Sequence, residues 1–311
     1  MKPFALLFAG QGAQQVGMGL TAVTETPNLS SYYSLLQQGL SFDLTAILNG
    51  TLPGLNQTEY TQPALLATSL LYYQQLQAHL PLHPKYLLGF SLGEYTALHV
   101  AGHVDLASTL TLIQLRAKAM AKASEKNPGG MAAILGLQSD LLVALCSQVI
   151  RTDHQVMVAN YNSPSQYVIS GHHAAVKEVM TLATAQGAKR AIPLNVSGAF
   201  HSPLMATAGD ALAAFLPTIT FKPATTPMIF NWTALPLPNL AALPEHLIQQ
   251  VQSSVRFEAS IRYLLNQGIT TFLEIGPGNV LAGLVKKIAP EAPVVSYNGI
   301  QDLPMVKELI A

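Results

Sequence analysis

Gly89-Phe-Ser-Leu-Gly93 is the segment of this chain whose residue types and spacing point most directly to chemistry. It fits G-x-S-x-G, in which two glycines let a strand and a helix meet at a sharp turn and leave the serine hydroxyl, here of Ser91, exposed at the corner. A nucleophile and an ordinary turn serine share this pattern, and a base is what separates them. Among the histidines, His79, His83 and His246 read as solvated helix ends, and His172 and His173 as turn residues. His201 differs. It follows the irregular Ser197-Gly-Ala-Phe200 and precedes Ser202-Pro203, an expected N-cap and first helical residue. A histidine just outside a helix N-terminus feels positive potential, which favours the neutral imidazole that a general base requires. Glu94, Asp105, Glu125, Asp140, Asp153 and Glu178 lie between Ser91 and His201, and none has a clear claim as third member. A group other than a carboxylate is expected to orient the imidazole.

Two further features could complete such a site. Gly10-Gln-Gly-Ala-Gln14 closes an apolar run, but a dinucleotide fingerprint would need glycine where Gln15 stands. A tight loop that aims a backbone N–H at a reacting carbonyl fits better, with the N–H of Leu92, directly after the serine, as its partner. Arg116 shares an apolar helical stripe with Leu112, Ile113 and Met120, while Lys118 and Lys122 point elsewhere. A charge there needs a partner. It is either an internal salt bridge or a fork for a substrate carboxylate, a role that suits a guanidinium better than an ammonium.

The elements that must position these residues alternate. Phe4 to Ala9 and Tyr86 to Phe90 read as strands buried on both faces, the second leading into a helix from Leu92 to about Val100. Asp105 caps a helix to about Ser124. Thr270 to Ile275 is a strand closed by Gly276-Pro-Gly278 and followed by a helix through Lys287. Between them the rhythm changes after Asn127-Pro-Gly-Gly130. Strand (131–137), helix (139–150), strands (156–161 and 166–170), helix (173–186) and strand (189–194) give the βαββαβ order of a ferredoxin-like unit. The expected architecture is therefore α/β. A large α/β-hydrolase-like domain with a mostly parallel sheet (1–126 and 198–311) carries an inserted ferredoxin-like subdomain (127–197), with a cleft between them. Prolines from Pro217 to Pro244 suggest a long surface excursion with few regular elements.

The composition limits the partners. Half of the residues are hydrophobic, and 16 basic residues balance 16 acidic ones, so no global field favours nucleic acid or anionic lipid. The lone cysteine, Cys146, excludes an intramolecular disulfide and a cysteine-based metal cluster, and reads as a buried helix thiol. The opening apolar run ends after about six residues, too short for a signal peptide, and no stretch reaches the roughly 20 apolar residues of a span. A cytoplasmic protein without membrane association is expected.

These residues together resemble the malonyl-CoA:acyl-carrier-protein transacylases of fatty-acid synthesis and the related acyltransferase domains of polyketide synthases. The likeness covers nearly the whole chain. It runs through Phe8-Ala-Gly-Gln-Gly-Ala-Gln14, Thr61-Gln-Pro63, Gly89-Phe-Ser-Leu-Gly-Glu-Tyr95, Arg116 with Met120, Ala159-Asn-Tyr-Asn-Ser-Pro164, Gly198-Ala-Phe-His201 and Glu274-Ile-Gly-Pro-Gly278. The resemblance implies Ser91 as nucleophile, His201 as base and Arg116 on the malonyl carboxylate. Gln11 and Leu92 would supply the oxyanion N–H groups, and the backbone carbonyl of Gln250 would orient the histidine. Asn160 and Asn162 would help order its surroundings, and Phe200 resembles the aromatic of malonyl-selective members. Many members have histidine where this chain has Phe90, so any hydrogen bond made there is lost. The implied reaction is ping-pong transfer from malonyl-CoA to the phosphopantetheine thiol of acyl carrier protein, with no metal or bound cofactor, in a monomer. Lys189, Arg190, Lys286 and Lys287 are candidates for docking the acidic carrier. An acyl hydrolase using the same serine, a discrete acyltransferase serving a polyketide synthase, and a non-catalytic carrier-docking module are the alternatives.

Overall fold

The computed structural model describes residues 2–311; Met1, counted above with the large domain, lies outside them. The strands are β1 (Phe4–Phe8), β2 (Tyr86–Gly89), β3 (Gly130–Leu135), β4 (Val156–Ser163), β5 (Gln166–Gly171), β6 (Arg190–Pro193), β7 (Met228–Ile229), β8 (Thr271–Ile275) and β9 (Val294–Tyr297). β1 is buried throughout, and its alternate residues serve different cores. Phe4, Leu6 and Phe8 face one hydrophobic cluster, Ala5 and Leu7 another. A strand apolar on both faces needs cover on both, so β1 sits at the centre of a parallel sheet of order β7-β2-β1-β8-β9.

The second sheet is antiparallel, of order β4-β5-β3-β6, which is the ferredoxin-like arrangement expected from βαββαβ. Element ends fall within one or two residues of the expected ones. Here alternation separates two jobs. Ala132, Ile134, Val156, Val158, Tyr167 and Ile169 face the Ser139–Val149 and His173–Ala185 helices in a core of their own. Met131, Ala159 and Val168, on the opposite face, join the core of the large sheet. Cys146 is buried in the small core, where desolvation pushes its thiol up to about 12. We propose residues 127–197 as the bounds of the inserted unit, on the strength of this separate core.

Asp105 caps the Leu106–Lys126 helix by accepting from the Ser108 amide. Buried Glu274 caps the Val280–Ile288 helix by accepting from Leu281 and Ala282 at 3.0 and 2.9 Å, which accounts for the acid in Glu274-Ile-Gly-Pro-Gly278. The stretch from Pro217 to Pro244 is mostly exposed or half-buried and has few regular elements, as its prolines suggest, but its middle is buried. It supplies β7, and Phe230 and Asn231 are buried. His246 is also buried rather than solvated, its ring set edge-on against Phe230 and Trp232. No helix among the described residues is long and apolar enough to cross a membrane.

Candidate active site

The corner that carries Ser91 exists because two backbones come too close for side chains. A Cβ on Gly89 would collide with the backbone of Gly93, and one on Gly93 with the Phe8 carbonyl. β2 therefore ends against the Gly93–Val100 helix, and Ser91 takes a left-handed backbone with φ +52°. Its hydroxyl lies 2.7 Å from His201 Nε2, and His201 Nδ1 lies 2.8 Å from the Gln250 carbonyl oxygen. A carbonyl can only accept, so the imidazole proton belongs on Nδ1 and the Nε2 lone pair faces the Ser91 hydroxyl. No carboxylate takes part. His201 is buried, and its pKa is pushed down to about 4, first by desolvation and then by the charge of Arg116. The turn after it, Pro203–Met205, is only three residues long, so burial is the main cause of its neutrality.

Arg116 is fully buried, and no carboxylate lies within salt-bridge distance of it among the described residues. The internal salt bridge weighed from the sequence is absent. One terminal nitrogen donates to Gln62 Oε1 at 2.6 Å; the other donates to Gln250 Oε1 at 2.9 Å and Ser91 Oγ at 3.1 Å. The guanidinium carbon sits 5.2 Å from the Tyr95 ring centroid. Glu94 is the nearby acid, and burial raises its pKa to about 8, against the opposing pull of the Asn231 amide and Arg116. At neutral pH it is mostly uncharged, so the guanidinium has no anionic partner. A buried cation with two hydrogens on amide oxygens and one on a reactive hydroxyl can receive an anionic group attached to that hydroxyl.

A cavity of about 200 Å³ opens onto Ser91 and His201. Gln11, Met120, Phe200, Asn160 and Asn162 line it, and so do Gln62 and Phe90. The backbone N–H groups of Gln11 and Leu92 donate to no acceptor among the described residues, as oxyanion donors must in the resting state.

A family model described as acyl transferase domain matches residues 5–300. The chain belongs to the acyl transferase family. Among curated relatives, the malonyl CoA-acyl carrier protein transacylase of Bacillus subtilis (strain 168) is 39% identical over 289 residues, 93% of this chain and 91% of that protein. The one from Escherichia coli O157:H7 is 38% identical over 299 residues, 96% of both. Among solved structures, the malonyl CoA-acyl carrier protein transacylase of Coxiella burnetii superposes with TM-score 0.95 at 33% identity, covering 100% of this chain and 98% of that one. A malonyl-transacylase in complex with a type II polyketide synthase acyl-carrier protein superposes with TM-score 0.94 at 35% identity, covering 99% of each.

Within this acyl transferase fold the remaining expected residues divide. Asn160 and Asn162 line the cavity, but neither side chain hydrogen-bonds His201; the link there is between backbones, Tyr161 N to Val255 O at 2.9 Å and Val255 N to Ala159 O at 2.8 Å. Lys189, Arg190 and Lys287 meet in one recess of about 320 Å³ with Gln166, which also lines the nucleophile's cavity. Lys286 is not with them, because its ammonium turns to the Ala292 carbonyl at 3.2 Å. Phe90 packs edge-on against Phe257 and leaves His201 as the histidine on Ser91. The residues not singled out from the sequence are the amides around Arg116 and the elbow: Gln62, the side chain of Gln250 and Asn231. Gln62 sits within the Thr61-Gln-Pro63 match, but nothing in its spacing pairs it with Arg116.

Proposed function

We propose that this chain moves a malonyl group from malonyl-CoA to the phosphopantetheine thiol of acyl carrier protein, by way of an ester on Ser91. The observation that carries this reading is the position of Ser91 Oγ, 2.7 Å from His201 Nε2 and 3.1 Å from an Arg116 nitrogen. The first contact supplies a base. The second sets a cation without an acidic partner beside that hydroxyl, which supports Arg116 as the group that meets the free carboxylate of a malonyl ester.

In the first half-reaction His201 Nε2 takes the Ser91 proton while Oγ attacks the thioester carbonyl, and the backbone N–H groups of Gln11 and Leu92 receive the developing oxyanion. The Gln250 carbonyl holds the imidazolium by its Nδ1–H. Collapse expels coenzyme A thiolate, which His201 protonates, and the malonyl group remains on Ser91 with its carboxylate on Arg116. In the second half-reaction His201 deprotonates the carrier thiol, which attacks the ester; the Ser91 alkoxide leaves and recovers its proton. Phe200 and Met120 bound the acyl pocket. Three basic residues, Lys189, Arg190 and Lys287, form the recess we assign to the carrier or its phosphate. The chemistry calls for no metal or bound cofactor, and a cytoplasmic monomer is the form we propose.

Incubation with labelled malonyl-CoA, with and without carrier protein, tests this. Label should appear on the enzyme by intact mass and then pass to the carrier, and Ser91→Ala should carry none. Release of free malonate instead would make the protein a hydrolase. A stable adduct on Ser91→Ala would overturn the assignment of the nucleophile.

A further inference from the structure

Ser91 must hold a left-handed backbone at the one point where its hydroxyl is useful, and the flanking strand does not provide for this. β2 pairs with β7 only at Leu87–Met228 and Leu88–Ile229. Beyond Ile229 the chain folds onto itself, with Phe230 N donating to Leu235 O and Ala234 N to Phe230 O. The backbone of that edge therefore offers nothing to the Gly89 carbonyl or the Ser91 amide. Asn231 does. Its Nδ2 donates to Gly89 O at 2.6 Å, and its Oδ1 accepts from Ser91 N at 2.6 Å. A primary amide carries donor and acceptor side by side, as a peptide group does, so this side chain continues the parallel ladder around the corner.

The rest of Asn231 is equally committed. Its own N–H donates to Glu94 Oε2 at 2.6 Å, on the helix that leaves the elbow. Its carbonyl accepts from Arg256 N at 3.0 Å. Arg256 follows Val255, and the stretch from Gln250 to Val255 carries both the carbonyl on His201 and the backbone link to β4. All four polar groups of a residue only 2% exposed are used, and they tie the nucleophile's turn to the segment that supports the base. Asn231 does not line the cavity and touches no reacting atom.

We propose that Asn231 is a positioning residue, whose side-chain amide fixes the Ser91 backbone in register with His201. This rests on Ser91 being the nucleophile. Glutamine is one methylene too long for the two-pronged contact, leucine supplies neither prong, and an ionised aspartate would set an anion against the Gly89 carbonyl. A protonated aspartic acid would restore both prongs, O–H to Gly89 O and C=O from Ser91 N.

The test uses Asn231→Leu and Asn231→Asp in the full chain, with Ser91 acylation by malonyl-CoA followed by rapid-quench intact mass. Asn231→Leu should lower the acylation rate constant by about 100-fold, the scale that misplacement of a reacting group costs. KM for malonyl-CoA should stay within about threefold, since Arg116 and the cavity walls are unchanged. Asn231→Asp should be as slow near pH 8 but recover at least about tenfold relative to wild type near pH 5.5, as its carboxyl regains a proton. The charged and titratable groups around this turn are Glu94 on the Asn231 N–H, Arg256 at its carbonyl, His246 against Phe230 and Trp232, and His201 and Arg116 on the Ser91 hydroxyl; normalising to wild type at each pH, with the folded fraction from circular dichroism, removes their shared contribution. Near-wild-type rates per folded molecule, or an Asp-to-wild-type ratio flat with pH, would overturn the proposal and leave Asn231 a component of the fold. If the leucine variant does not fold, the aspartate ratio decides. Wild type and Ser91→Ala run alongside, so failure of the nucleophile itself appears as label on Ser91→Ala.

Discussion

Arg116→Ala separates a substrate clamp from a structural cation, and the structure sets the size of both effects. The guanidinium spends three of its five N–H hydrogens on Gln62 Oε1, Gln250 Oε1 and Ser91 Oγ, at 2.6, 2.9 and 3.1 Å, and its Nε has no partner. On the proposed reading a malonyl carboxylate on Ser91 takes over part of this fork through charge-assisted hydrogen bonds to a buried guanidinium, a contact of about 2–4 kcal/mol. Each 1.36 kcal/mol is tenfold, so malonyl transfer should fall by roughly two to three decades. Acetyl-CoA has no carboxylate to lose and gains the vacated space beside Met120, so its rate should rise relative to malonyl-CoA. The same change leaves two buried amide oxygens unpartnered, at about 1–3 kcal/mol each, and removes a buried cation that has no anionic partner, so the melting temperature shifts under either reading. Stability therefore cannot decide the question, whereas the malonyl-to-acetyl ratio on one folded variant does. Arg116→Lys should rescue little, because one ammonium cannot span the two glutamines and the serine. Initial rates with both acyl-CoAs, on protein shown to be folded by circular dichroism, give the answer. An unchanged ratio would refute the clamp.

Three other expectations follow from the geometry. Charge reversal at Lys189, Arg190 and Lys287 should weaken transfer to carrier protein by about tenfold or more and leave acylation by malonyl-CoA nearly unchanged, while Lys286→Glu should do little; equal loss in both half-reactions would assign the recess to coenzyme A. Acylation needs neutral His201, whose pKa is held near 4, so its rate should stay level from neutral pH to about 5 and fall about tenfold per unit below 4. The unfolded chain protonates this imidazole near its ordinary value while the folded one does not, so between about 6.5 and 4 the unfolded state binds more protons and the His201 contribution to stability is lost as pH is lowered. Glu94, which keeps its proton in the folded state, contributes the opposite slope above about 4.5 in both proteins, so urea titrations should show the His201 contribution as the difference between wild type and His201→Gln.

What could be read from the sequence is what local spacing encodes. Gly89 and Gly93 declare a close approach of strand and helix, and their positions about Ser91 mark the elbow. The alternation in β3, β4 and β5 declares a small sheet with two apolar faces, and the order βαββαβ gives its connectivity. Arg116 was visible as a charge on an apolar stripe. Its partners were not, because Gln62 and Gln250 lie on helices far away in sequence and amide side chains carry no pattern that pairs them. Asn231 was hidden differently. Its proline-rich surroundings suggested surface chain, and the buried turn at β7 depends on a sheet edge formed by residues more than a hundred positions earlier.

Glu94 shows why the charge state of a site cannot be read from spacing at all. It stands three residues after Ser91, close enough to Arg116 for each to shift the other's pKa. In the structure its Oε2 is taken by the Asn231 amide, Oε1 has no partner, and complete burial favours the protonated form. Were Glu94 ionised and turned to the guanidinium, the site would be closed by its own salt bridge, and a carboxylated acyl group would have to displace it. On the proposed reading, preference for malonyl over an uncharged acyl group thus depends on two things together. Arg116 supplies the cation, and the fold keeps the nearest acid dry enough to hold its proton.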